Sequence, residues 1–245
     1  MISEQTERLA ARFWEDAGVE ESFPRTLEQI VRCMNPGLAV HSLKRLSPQA
    51  VQDWLRSYGH AVELYTEERW LNGCLYAHRG TGFVFVEAEL SPGWRRVVIA
   101  HETAHFLAHY AGPRRRTERR LGPTLLAVLD GERGATEAEQ LAACLADVSV
   151  QPHVHFMDRT AEGAYAEPVA EAERLADELG LELLAPWQAV FASMRGRGPW
   201  PGIASDWQQV LQIRFGLPPG WASHYAKRLI GAARGRLAFS QALGL

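Results

Sequence analysis

The chain has 245 residues, of which 47% are hydrophobic and 22% are charged, and its formal net charge is −3 at pH 7. This composition excludes an intrinsically disordered chain and predicts one substantial hydrophobic core, or a core with a small appended module. The small negative charge provides no general attraction to nucleic acid or to anionic membranes, so any such contact has to be local.

The amino terminus is polar and lacks the basic and then apolar pattern of a signal peptide. No stretch approaches the ~20 apolar residues that are needed to cross a bilayer. The three cysteines, Cys33, Cys74 and Cys144, are far apart and form no Cys-x-x-Cys pair. This spacing is typical of reduced thiols, and we expect a cytoplasmic protein without membrane contact.

The first sixty residues predict three helices and one short strand. Apolar residues at helical spacing mark helices over 4–15 and over 24–34, and the second begins with a proline, which is favoured at the first helical position. Residues 38–43 predict the strand. Ser47 and Pro48 predict the cap and the first residue of the third helix.

Two segments rich in aromatic and β-branched residues, 70–77 and 82–87, predict a β-hairpin. The glycines and Arg79 between them supply the turn. An exposed edge of this hairpin could hold an extended peptide by main-chain hydrogen bonds. Equally, the hairpin could serve only to cover the helix that follows it.

Residues 97–110 predict a mostly buried helix that contains His-Glu-x-x-His. His101 and His105 lie one turn apart on one face, so both can reach a single small cation. Glu102 then lies beside the open position of that cation, where it can take a proton from water. The competing interpretation is a helix with ordinary hydrogen-bonded histidines. We favour the metal site because three polar groups are costly to bury without a partner.

The aromatic-rich hairpin followed by His-Glu-x-x-His-Phe-Leu-x-His resembles the ImmA/IrrE family of metallo-endopeptidases. In that family a later helix carries a motif near E-A-N/D-x-F-A-x-E-L-L-x-P, and residues 176–186 are similar to all but its first position. Residues 207–229 resemble the closing pair of helices. The resemblance implies an α+β fold: a mostly helical, zinc-peptidase-like fold with a small antiparallel or mixed sheet packed on the HExxH helix. It also implies Zn²⁺ as the metal.

In the family, the leading Glu of the later motif is the third metal ligand. Aligned without a gap, this position falls on Leu175, which cannot bind a metal. Glu171 is a candidate if the helix carries one extra turn, and Glu178 is another because it lies three residues further along the same stripe. Glu137 lies in a weaker imitation of the motif. The remaining alternative is that no carboxylate ligand exists.

Three further histidines are candidates for a role at this site. His109 follows His105 by four residues, but a helix rises ~6 Å over that span, so three successive turns cannot converge on one ion. His153 and His155 alternate on a predicted strand and share one face. If that face turns toward the metal, one of them could donate a hydrogen bond to the oxyanion of a tetrahedral intermediate. Otherwise they form an ordinary exposed or hydrogen-bonded pair.

We expect a metallopeptidase-like domain over residues 1–195, with a helical insertion at about 112–165, and a C-terminal helical pair over 196–245. The insertion begins with five arginines within residues 114–120, a run that could attract phosphate or an acidic peptide but fits a solvated helix face. The final pair has the look of a helix-turn-helix. We prefer packing against the core to direct DNA contact as the explanation of its apolar residues.

Together these patterns predict a zinc-dependent endopeptidase in which His101, His105 and a downstream Glu hold the metal and Glu102 is the general base. By resemblance, the partner is a protein substrate, typically a helix-turn-helix transcriptional repressor of stress or mobile-element genes. The alternative is a non-catalytic regulatory or binding protein that keeps the peptidase fold after losing its third ligand. The sequence does not predict an oligomeric state.

Overall fold

The computed structural model describes residues 3–19, 22–33, 37–60, 62–63, 69–148, 167–195 and 202–242, except for the side chains of 167–168 and 235–242. The helices are α1 (Glu4–Ala17), α2 (Pro48–Ser57), α3 (Pro92–His105), α4 (Gly112–Leu121), α5 (Leu126–Leu129), α6 (Glu137–Leu145), α7 (Glu167–Leu184), α8 (Trp187–Met194), α9 (Ala204–Ile213) and α10 (Pro219–Ala242). The strands are β1 (Leu38–Leu43), β2 (Gly73–His78) and β3 (Thr81–Glu87). This mostly helical architecture with one small sheet confirms the predicted α+β class.

The three strands form one mixed sheet in the order β1-β3-β2. β1 runs parallel to β3, whereas β2 pairs with β3 in the antiparallel sense, as the predicted hairpin requires. The hairpin turns at Arg79 and Gly80, whose φ angles of 50° and 77° are both left-handed. Two successive left-handed residues are typical of the tight turn that matches the twist of the flanking strands.

The sheet separates two apolar clusters, because successive side chains along a strand point to opposite faces. Leu75 and Val84 belong to the main core, which they share with α3. Cys74 and Phe85 face the other way and pack with Val51 of α2 in a smaller cluster. α3 is therefore covered on one side by the hairpin.

On its other side α3 packs against α7, which is held in place along its length. Glu178 of α7 lies 3.1 Å from the guanidinium of Arg228 in α10. Near the end of α7, the carbonyl oxygen of Leu183 accepts hydrogen bonds from the indole of Trp14 and from Arg25. Contacts from α1, α10 and the segment after α1 thus fix α7 relative to the HExxH helix.

The predicted helix over 24–34 is wrong for the residues that the structure describes. Within 22–33 the chain forms only a short 3₁₀ turn, Val31–Cys33. Leu27 and Val31, which suggested the helical stripe, are nonetheless buried at 2% and 0% exposure. An irregular segment packed on the core buries both side chains as well as a helix would. Packing against the core therefore decides the conformation here, and the helical spacing does not.

The HExxH helix also departs from the prediction at its end. α3 stops at His105, and the wider π-helical segment Phe106–Ala111 leads directly into α4. The amide of Gly112 donates to the carbonyl of Leu107, five residues back. The next residue is Pro113, which has no N–H to donate, and the wider turn accommodates this gap in the hydrogen-bond pattern.

Two other expectations concern the arginine run of α4 and the final helical pair. In α4, Arg114 forms a two-point ion pair with Asp130, while Arg116, Arg119 and Arg120 are exposed, as expected of a solvated face. The apolar residues of the final helical pair are buried in the main core, namely Leu211, Phe215, Tyr225 and Leu229. Among the described residues, no helix is long and apolar enough to cross a membrane.

Candidate metal centre

The site lies where α7 crosses the histidine-bearing turn of α3. The crossing is close because α7 carries Ala176 and Gly180, two small residues, at this point. A Cβ added to Gly180 would lie 3.1 Å from the backbone nitrogen of His101. Glu173 precedes Ala176 by three residues and Gly180 by seven, so it lies on the same face of α7. The close contact between α3 and α7 therefore places Glu173 next to the two histidines.

His101, His105 and Glu173 form a compact cluster of potential metal ligands. The Nε2 atoms of the two histidines are 3.1 Å apart. Glu173 places Oε2 at 3.3 Å from Nε2 of His101 and Oε1 at 3.8 Å from Nε2 of His105. One donor atom from each of the three residues lies within 4.8 Å of the others, close enough to bind a single cation.

The other ring nitrogens of both histidines are already engaged. Nδ1 of His101 lies 2.8 Å from Oδ1 of Asp177 and donates to it. Nδ1 of His105 lies 3.1 Å from Nδ1 of His109, on the side of the His105 ring that faces away from Nε2. A carboxylate on Nδ1 fixes the tautomer in which Nε2 carries the free lone pair, as metal-binding histidines require.

The donor set fits a catalytic zinc ion. Two imidazole nitrogens and one carboxylate oxygen are a ligand combination that zinc uses in hydrolytic enzymes, where the fourth position is left for water. The three side chains come from two helices whose relative position is set by the apolar core. The chain's own residues therefore supply a three-ligand site with room for a further ligand.

The surroundings of the site favour positive charge. Burial lowers the pKa of His101, but hydrogen bonds to Asp177 and Glu173, with the charge of Glu102, outweigh it and raise that pKa to about 10. Burial raises the pKa of Glu102 to about 7; the charge of Glu173 adds to this effect and that of His101 opposes it. A carboxylate with a pKa near neutrality is well matched to accepting and returning a proton.

Glu102 and the three cluster residues line one pocket of about 450 Å³. The start of β2 forms one wall. A Cβ added to Gly73 would overlap Val98 and would lie 3.0 Å from Oε1 of Glu102. The absence of a side chain at Gly73 thus lets the strand pass closely over the carboxylate and fixes its position.

The three carboxylates predicted as candidates for the third ligand lie away from the histidines. The side chain of Glu171 is 75% exposed and lies 3.8 Å from Arg174. Glu178 is buried, but it pairs with Arg228 and accepts a hydrogen bond from the amide of Ser3. Glu137 is exposed in the first turn of α6. The structure brings none of these three carboxylates to the histidines, and it brings Glu173 instead.

Sequence reasoning missed Glu173 because it counted back from the Leu-Leu-Ala-Pro end of the motif and arrived at Leu175. A physical signal was available in the small residues of the same helix. Ala176 and Gly180 mark the face that approaches a neighbour, and Glu173 is on that face. Glu171 and Glu178 are rotated by well over 90° from it at ~100° per residue. His153 and His155 lie outside the described residues.

The part of the chain that carries the HExxH helix matches a known family. Residues 67–146 match the family model described as Peptidase_M78, the IrrE N-terminal-like domain. The predicted resemblance to the ImmA/IrrE family is thereby confirmed over this part of the chain.

The matched IrrE N-terminal-like domain contains both histidines of the cluster and Glu102, whereas Glu173 lies beyond its last residue. No curated protein and no solved structure matches the chain. The carboxylate of the cluster, Glu173, is therefore identified by the contact between α3 and α7.

Proposed function

We propose that this chain is a zinc-dependent endopeptidase that hydrolyses a peptide bond in a specific protein. The observation that carries the proposal is the convergence of His101, His105 and Glu173 beside Glu102 in one pocket. By family resemblance, we propose a helix-turn-helix transcriptional repressor as the substrate and the cytoplasm as the place of action.

A bound zinc ion supplies Lewis-acid chemistry, which polarises a peptide carbonyl and makes water more acidic. The chain's own residues supply the proton transfers. Glu102 accepts a proton at its carboxylate as water attacks the carbonyl carbon, and it returns that proton to the nitrogen of the departing amine as the C–N bond breaks. Asp177 holds the ring of His101 in a fixed orientation throughout.

The pocket is suited to an extended peptide. β2 is an edge strand of the sheet, and its first residues, Gly73 to Leu75, line the pocket. An edge strand offers main-chain N–H and C=O groups to a peptide that aligns with it. This arrangement supports the interpretation in which the hairpin contributes to substrate binding as well as covering α3.

The alternative of a non-catalytic regulator depended on the absence of a carboxylate at Leu175. Glu173 provides that carboxylate from the same helix. Glu102 is also present, buried and next to the cluster, where a purely structural site has no use for a proton acceptor. Both observations favour the peptidase.

The metal site is tested by measuring zinc content and affinity in four purified proteins: the wild type, His101→Ala, Glu173→Ala and Glu171→Ala. We expect about one zinc per wild-type chain, and strong loss in the first two variants. Glu171→Ala is the matched control, since this exposed carboxylate lies two residues from Glu173. Wild-type affinity in Glu173→Ala, or no zinc binding by the wild type, would overturn the proposed site.

The peptidase activity is tested with zinc-loaded wild type and Glu102→Gln, each incubated with a native proteome extract whose new amino termini are then labelled and sequenced. We expect new termini in one or a few proteins with the wild type and their absence with Glu102→Gln. Glu102→Gln must retain zinc for the comparison to report on the proton transfer. Identical termini in both samples would contradict the proposal.

A further inference from the structure

Arg69 lines the pocket but takes no part in metal binding or proton transfer. Arg69 is the only lysine or arginine among the described residues that line the pocket. The acidic residues of the lining, by contrast, are Glu173, which is a proposed metal ligand, and Glu102 and Asp177, which lie beside the ligands. The described lining thus places a fixed positive charge in the same cavity as the proposed zinc site.

The guanidinium of Arg69 has an unmet hydrogen-bonding group. Its Nε is enclosed by the protein and has no hydrogen-bond partner. In the described part of the chain, no carboxylate forms an ion pair with Arg69. Enclosing a donor without a partner is costly, so a ligand that draws the guanidinium into the cavity and accepts a hydrogen bond from it would remove the cost.

The thiol of Cys74, on which Arg69 acts electrostatically, does not neutralise this charge. Cys74 is fully buried, and burial and the charge of Glu102 raise the pKa of its thiol well above its ordinary value, although Arg69 acts in the opposite sense. The thiol is therefore neutral at physiological pH. Cys74 also shows that Arg69 and Glu102 lie within electrostatic reach of one group, on the same stretch of the pocket wall.

Aromatic side chains surround this part of the cavity. Trp70 and Trp94 are 66% and 41% exposed, and together with Trp221 they line the pocket. Their rings replace water around a bound peptide, and a charged hydrogen bond is stronger where water is displaced. The cavity thus combines an apolar rim with one cation whose donor is unmet.

Building on the proposed peptidase function, we propose that Arg69 binds a carboxylate of the substrate peptide. A guanidinium matches a carboxylate with two parallel hydrogen bonds, which gives orientation as well as affinity. Arg69 thus offers a negative group of the substrate an attachment point in the cavity that is separate from the metal ligands. The carboxylate is either an Asp or Glu side chain near the cleaved bond or the terminal carboxylate of the peptide.

The test is a binding measurement that does not depend on cleavage. Zinc-loaded Glu102→Gln is immobilised and exposed to two random decapeptide libraries, one with free and one with amidated C termini, and the retained peptides are sequenced by mass spectrometry. Enrichment of Asp or Glu at one position in the amidated library identifies a side-chain carboxylate. Retention only from the free-acid library identifies the terminal carboxylate.

The selected peptide is then compared with its neutral counterpart, in which Asn, Gln or an amide replaces the carboxylate. We expect a preference of about tenfold or more for the acid in Glu102→Gln. Adding Arg69→Gln should abolish the preference. The matched control adds Arg45→Gln to Glu102→Gln instead. Arg45 lies 5.1 Å from the ring of Trp70 but is not among the residues that line the pocket, so the preference should persist.

The proposal is overturned if no carboxylate is enriched, or if the preference survives Arg69→Gln in a protein that unfolds at the same denaturant concentration as its parent. The two proposals can fail separately. Cleavage of peptides by the wild type without any preference for acids would refute the role of Arg69 alone. Binding of acids through Arg69 without cleavage by the wild type would refute the peptidase alone.

Discussion

Gly180 of α7 and His101 of α3 touch through their backbones. A Cβ on Gly180 would lie 3.1 Å from the nitrogen of His101 and 3.2 Å from the carbonyl carbon of Ala100. Because these neighbours are main-chain atoms, they cannot move aside as a flexible side chain can. The distance between the two helices, and with it the distance from Glu173 to the histidines, depends on a glycine at this position.

Gly180→Ala should therefore separate the helices and weaken zinc binding. Overpacking costs about 1–3 kcal/mol, and the better helix propensity of alanine returns about 1 kcal/mol, so we expect a net loss of about 1 kcal/mol in the free energy of unfolding. Urea titration and a zinc competition assay measure the two effects. Gly231→Ala in α10 is the control, since an added Cβ meets nothing there and should stabilise the protein. Equal behaviour of the two variants would contradict the close approach.

Asp177→Ala should reduce zinc affinity by about 10–100-fold, because the ring of His101 loses the partner that orients it. Asp177→Asn keeps an acceptor for the Nδ1 proton and should lose less. A chelator competition assay measures both affinities, and Glu171→Gln serves as a control that removes an exposed charge from the same helix. Unchanged affinity in Asp177→Ala would show that His101 is oriented by its surroundings alone.

Glu182 predicts a pH dependence of stability that does not involve the metal site. Its carboxylate is 4% exposed and accepts hydrogen bonds from the amide of Trp187 and the hydroxyl of Tyr225. Burial raises its pKa from 4.5 to about 7. Because the folded pKa is the higher one, the folded chain holds a proton that the unfolded chain has lost. The contribution of this proton to the stability of the folded chain is therefore complete below the unfolded pKa. It disappears as the pH rises through about 7.

Glu182→Gln should remove this dependence, because glutamine keeps an acceptor and cannot ionise. Each pH unit between the unfolded and the folded pKa corresponds to ~1.4 kcal/mol, so the wild type should lose up to about 3 kcal/mol relative to the variant between about pH 5 and about pH 8. Urea unfolding of both proteins at the two pH values measures the difference in their free energies of unfolding. Groups other than Glu182 contribute equally to both proteins, so their effects cancel in this difference. Parallel stability curves for the two proteins would rule out the ionisation of Glu182 as the cause.

Gly73→Ala should impair catalysis more than metal binding. The added methyl group would overlap Val98 and press on Glu102, neither of which is a metal ligand. We expect a lower kcat on any peptide that the wild type cleaves, with zinc affinity within about twofold of wild type. Gly220→Ala is a useful control, since an added Cβ meets nothing there. A parallel fall in zinc affinity would instead indicate a general distortion of α3.

Local patterns were sufficient for those elements whose side chains are specified within a few residues. The turn at Arg79 and Gly80 and the cap at Ser47 are of this kind, because each depends on local backbone geometry. His101 and His105 are likewise brought together by the repeat of one helix. Such features need no knowledge of the rest of the molecule.

Features that depend on two distant segments were harder to predict. The position of Glu173 follows from how closely α7 approaches α3, and that approach is decided by packing across the core. The segment around Leu27 has a helical spacing of apolar residues, yet the core accepts it in an irregular form. In both cases the decisive partner lies far away in the sequence.

His105 and Glu173 lie 3.8 Å apart although about 70 residues separate them in the chain. An ion held by both residues is a reversible cross-link that closes this long loop. In the unfolded chain the same residues are rarely close together, so the ion selects molecules in which α3 and α7 have already docked. Zinc release would then report the loosening of one helix pair, and the free zinc concentration would set the fraction of molecules in which that pair is closed.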